Sequence, residues 1–165
     1  MGSWFGNGSG IDISGKPGTE LKTSTSQYLV VGIQGATTSA DRTFYLANAG
    51  GTLEDTTTAR NAIGINQSNM LSTGSEACHI RIMGLAKAKC AASVTAGDWI
   101  KAYEGASTTT FRGHVDSVLS GLSITVATAS ISSQMTILGK ALADGSTNSV
   151  IEVMLMPQMY DTQFV

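Results

Sequence analysis

Two cysteines and two histidines carry most of the chemical potential of this 165-residue sequence. Cys78-His79 with Cys90 offers three metal-binding residue types close together. Zinc centres, however, use four ligands at C-x₂₋₄-C-type spacing. If the segment is a strand, neighbouring residues point to opposite faces, so Cys78 and His79 do not converge on one ion. The cysteines then read as small core residues. His114-Val115-Asp116 would place an imidazole and a carboxylate on one strand face, as acyl-transfer chemistry requires. No G-x-S-x-G elbow and no distinctively placed nucleophile accompanies them, so they read as a surface pair. Gly6-Asn7-Gly8-Ser9-Gly10 departs from G-x-G-x-x-G and follows no strand, which makes it a tether and not a phosphate cradle. Asp12, Glu20, Asp55, Glu76 and Glu104 are scattered near turns. Met154, Met156 and Met159 read as gap-fillers of a core or interface. The expectation is a protein with no catalytic residues, no cofactor and no bound metal.

The elements around these residues are strands. Cys78, Ile80, Ile82, Gly84, Ala86, Ala88 and Cys90 share one parity, and His79, Arg81, Lys87 and Lys89 share the other. This is the period-2 alternation of a half-buried strand. A hairpin centred on Gly84 would oppose Arg81 to Lys87, an unfavourable like-charge pair, and Met83-Gly84-Leu85 lacks turn chemistry. One long strand bent at Gly84 is therefore predicted. Its ends lie about 40 Å apart at ~3.3 Å per residue, so Cys78 and Cys90 are expected as free thiols.

Other short β-like runs are Tyr28 to Ile33, Thr43 to Leu46, Ala62 to Ile65, Trp99 to Tyr103, Phe111 to Val115, Leu122 to Val126, Met135 to Leu142 and Val150 to Met156, with Pro157 as the stop. Ser93 to Asp98 is a turn in which Gly97 takes positive φ. Thr56 to Asn61 could hold one helical turn. No window shows the i, i+3, i+4 apolar repeat of a helix. The class is all-β, a small β-barrel or sandwich-like domain with an extended N-terminal arm.

Three segments are expected: an arm over 1–26, a β-domain over 27–157 and a tail over 158–165. The arm is rich in Gly, Ser and Thr, and its few large apolar groups include Trp4, Phe5, Ile11 and Ile13. It reads either as a loose tail or as a segment that docks on a partner through those four residues.

Composition narrows the partners. Hydrophobic residues make up 42% of the chain, charged residues only 13%, and the net charge is −2. The charged share is about half the ~25% usual for globular domains. No basic stripe exists to displace counterions, so nucleic acid is not expected as a partner. No apolar run approaches the ~20 residues of a membrane-spanning helix, and the first residues lack a secretory pattern. The expected product is made in the cytoplasm and binds no membrane.

From Tyr28 to Met156 the order of segments resembles the small capsid decoration (cement) proteins of tailed bacteriophages. The matching pieces are Tyr28-Leu29-Val30-Val31, Ala62-Ile63-Gly64-Ile65, the strand through Gly84 into Ala86-Lys87-Ala88, Val94-x-x-Gly97-Asp98, Ile137-Leu138-Gly139-Lys140-Ala141-Leu142 and Ile151-Glu152-Val153. The resemblance implies a compact β-barrel-like domain, commonly a homotrimer, on the capsid exterior. It implies the major capsid protein as partner and stapling of neighbouring capsomers as the role; the arm, which the resemblance does not cover, offers Trp4, Phe5, Ile11 and Ile13 as candidate capsid contacts through its own apolar residues. A receptor- or glycan-binding module of a phage tail or fibre is the alternative. That alternative requires exposed rings in a groove, with Trp99 and Tyr103 on one strand face.

Overall fold

The fold is described from a computed structural model, over residues 10–18, 21–33, 43–47, 62–69, 77–103, 109–118 and 134–161. Nine strands run through these residues: β1 (Gly10–Pro17), β2 (Val30–Ile33), β3 (Thr43–Leu46), β4 (Ala62–Asn66), β5 (Cys78–Lys89), β6 (Trp99–Ala102), β7 (Val115–Ser117), β8 (Gln134–Ala141) and β9 (Val150–Asp161). Only two 3₁₀ turns, Ser24–Ser26 and Thr109–Phe111, break the all-β pattern among the described residues.

The strand order is β1-β3-β2-β4-β5-β9-β8-β6-β7, with β1 also paired to β5. That extra pairing closes β1, β3, β2, β4 and β5 into a five-stranded barrel. The β1–β3 pair is parallel and the other barrel pairs are antiparallel. Closure removes open edges from this half of the molecule. The remaining strands continue from β5 as a second leaf.

Strand β5 belongs to both halves. Cys78 to Gly84 pairs with β1, and Gly84 to Lys89 pairs with β9. The predicted long strand is present, and its burial alternates through Gly84. Gly84, where the bend was expected, has φ 92°. Gln67 ties the two arms of the bend together. Its backbone N–H donates to His79 O at 3.0 Å. Its side-chain amide donates to Lys87 O at 3.1 Å and accepts from Lys87 N at 3.2 Å.

Two apolar clusters form among the described residues. Leu21, Val31, Phe44, Cys78 and Ile80 form the barrel interior. Val30, Ile65, Ala86, Ala88, Ile100, Leu138, Val153 and Leu155 are among those that pack between barrel and second leaf. Val30 and Val31 thus bury opposite faces of one strand in different cores. This explains why Tyr28 to Ile33 is almost continuously apolar, as strands covered on both sides are.

The boundaries differ from expectation at both ends. Gly10–Pro17 is a barrel strand, with Ile13 packed against the interior cluster and Asp12 paired with Arg81. Leu21 is fully buried, and the buried Ser26 hydroxyl donates to Leu21 O and Thr23 O, both at 2.7 Å. The folded unit therefore includes residues assigned to the arm. One inward isoleucine suffices for a short strand whose other needs are backbone hydrogen bonds. Trp4 and Phe5 lie outside the described residues. At the other end β9 continues through Pro157 to Asp161, into the expected tail. The β8–β9 register shifts between Ile137 and Gly139, opposite the stretch that contains Pro157. A bulge of this kind accommodates a residue without an N–H.

Gly97 has φ 93°, and Asp98 Oδ2 accepts from Thr95 N at 2.9 Å, the turn the sequence predicted. Phe111 to Val115 is not one strand. It is a 3₁₀ turn, a positive-φ Gly113 and the start of β7. Leu122 to Val126 and Thr56 to Asn61 lie outside the described residues.

Candidate functional site

The chemically capable residues are placed for structure. Cys78 is buried in the barrel and its Sγ donates to Gly15 O at 3.3 Å. His79 points outward and its Nδ1 lies 3.1 Å from Ser14 Oγ. Cys78 and His79 are thus on opposite faces, as strand geometry requires. Cys90 is buried in the other cluster. Both cysteines are free thiols, and burial raises both thiol pKa values, which keeps them protonated.

His114 and Asp116 correct the sequence reading. Both are buried, not a surface pair. The His114 ring stacks edge-on to Phe111, with centroids 5.4 Å apart, and its Nδ1 lies 3.3 Å from Arg112 O. Asp116 Oδ1 accepts from Ser117 N at 2.8 Å. The signal missed was packing: Gly113 O accepts from Val30 N at 2.6 Å, which draws this loop onto the barrel.

Burial lowers the His114 pKa below the ordinary 6.5, and Lys89 adds a smaller repulsion. The folded state therefore binds the proton more weakly than the unfolded chain. His114 favours folding fully above pH 6.5, and this contribution is lost as pH falls through the folded value. Thermal melts at pH 7.5 and at about pH 5 should show lower stability in acid, and His114→Gln should flatten that dependence. An equal acid loss in the variant would assign the effect elsewhere.

The exposed surface carries a different arrangement. Among the described residues seven large hydrophobic side chains are well exposed, and six of them lie on strands of the one sheet. Ile11, 52% exposed, stands directly opposite Met83, 50% exposed, across β1–β5. Leu85 follows on the same face of β5 and stands opposite Met154 of β9. Met154 also stands opposite Lys140 of β8, and Lys140 opposite Trp99 of β6. Met156 and Val150 share the outward parity of Met154. Leu142, just past β8, donates its N–H to Glu152 O at 2.8 Å.

Cations edge this apolar face. Lys140 Nζ sits 4.7 Å from the Trp99 ring centroid, and Lys87 Nζ sits 5.9 Å from that of Tyr28. Lys87 stands opposite Glu152, and Lys89 opposite Val150. Arg81 is held by Asp12 through its Nε and, at 3.0 Å, its Nη2. Exposed apolar side chains gathered along paired strands in this way mark a place that another macromolecule covers.

Of the four candidate contacts, Ile11 lies on this face and Ile13 turns away from it into the barrel. Met83, Leu85, Leu142, Val150 and Met156 were missed. Their signal was legible as apolar residues on the otherwise polar parity of their strands. Among the described residues Trp99 and Tyr103 are not brought together as a pair of exposed rings. A bulge between Ile100 and Lys101 breaks the alternation, and Tyr103 packs edge-on to Phe111 with centroids 5.7 Å apart.

No family model matches the chain, and no curated protein matches it. Among solved structures it is similar to the N base of head fibre gp8.5 of bacteriophage phi29. The two share 7% identity over 88% of this chain and 93% of that one, with a TM-score of 0.44. A likeness at this level fixes neither family nor function.

Proposed function

We propose that this chain is a structural virion protein that binds the outer surface of a tailed-phage capsid and stabilises contacts between capsomers. It acts as a homo-oligomer, the trimer that the decoration-protein resemblance implies, and without catalysis. The observation that carries the reading is the gathering of exposed large hydrophobics along paired strands of one sheet, beside a fold whose cysteines and histidines are used for packing and hydrogen bonding. The segment resemblance to decoration proteins supplies the capsid as the partner. Low charge density suits a protein that must crowd against many copies on a shell, since self-repulsion is weak. Repetition over a symmetric lattice then converts modest contacts into firm attachment.

The test is co-sedimentation of the purified chain with empty, expanded shells of the phage that encodes it. Saturable binding at a fixed ratio to the capsid subunit is expected. No sedimentation above the shell-free control would overturn the proposal.

A further inference from the structure

Resting on that reading, we infer that the outer face of β5, β9 and β8 is the surface that meets the shell, and that it takes an apolar patch rimmed by carboxylates. Met83, Leu85 and Met156 form the apolar centre. Lys87, Lys89 and Lys140 occupy outward positions around it with Glu152 opposite Lys87, and the Arg81–Asp12 ion pair lies beside Met83. Among the described residues none of these lysines forms an ion pair. The face is thus cationic on a chain whose net charge is −2.

Charge decides between the available occupants. A second copy applied through the same face would set lysines against lysines, which disfavours a symmetric self-contact. Nucleic acid favours a continuous basic stripe, whereas these lysines are dispersed around methionine and leucine. A protein surface with an apolar centre and an acidic rim satisfies both parts. The apolar centre then supplies most of the affinity, and the lysines supply orientation and encounter rate.

The experiment is quantitative shell co-sedimentation of wild type, Met83→Ser/Leu85→Ser, Lys87→Glu/Lys140→Glu and, as a control at the far end of β1, Lys16→Glu. The serine pair should weaken binding about tenfold or more at every salt concentration. The glutamate pair should weaken it at about 50 mM salt, with the deficit shrinking near 0.5 M as screening shortens the reach of the charges. Lys16→Glu should bind like wild type. Melting temperatures confirm that each variant is folded. Backbone hydrogen exchange in the wild-type chain provides a readout that needs no substitution, with protection of 83–87 expected on shell binding.

If wild type binds and both double variants bind equally well, this face is not the contact and the capsid reading stands. Variants that change oligomeric state while binding shells normally would make the face a self-contact and overturn the inference. Failure of wild type to bind would overturn the inference and the capsid reading together.

Discussion

Gly139→Ala is expected to destabilise the fold by on the order of 3 kcal/mol, a fall in Tm of about 6–12 °C. Gly139 lies where β8 shifts register against β9, and it pairs with Leu155 on one side and Ile100 on the other. A Cβ there would sit 1.9 Å from Met154 O and 2.9 Å from Leu155 Cα. Both are backbone atoms of a central strand, so neither can rotate aside. The strands would have to separate, and the separation would reach Lys140 and Met154 on the docking face. Thermal unfolding checks the expectation, and an unchanged Tm would mean that β8 and β9 do not approach this closely.

Phe44→Ala should cost about 3–5 kcal/mol. Phe44 is fully buried in the barrel interior with Leu21, Val31, Cys78 and Ile80. A five-stranded barrel has little room to collapse around a lost ring, because hydrogen bonds fix its circumference. The lost transfer energy and the cavity therefore add. Denaturant unfolding should show a lower midpoint with the slope retained. A loss under 1 kcal/mol would place Phe44 outside the barrel core.

How far the sequence reads ahead of the structure depends on the source of each signal. The β5 strand and its kink at Gly84 were legible because strict alternation is imposed by two unlike faces over twelve residues. Gly97 was legible because its turn is local. The β1 strand was not, because its place in the barrel rests on backbone pairing with β5 and on one inward isoleucine. Its many Gly and Ser residues resemble a tether. His114 was misplaced because its loop is drawn onto the barrel by the bond between Val30 N and Gly113 O, a contact between residues far apart in sequence. The docking face needed the register as well. Met83, Leu85 and Met156 are unremarkable singly, and only the pairing of β5 with β9 and β1 shows that they share a surface.

The proposed function requires this chain to bind the outside of a capsid. Electron cryomicroscopy of expanded, empty shells incubated with the chain tests it most directly. Added density is expected at regular positions on the exterior, with the face bearing Met83, Leu85 and Lys140 turned toward the shell. Shells that carry no added density at saturating protein, or carry it only at the tail vertex, would contradict it.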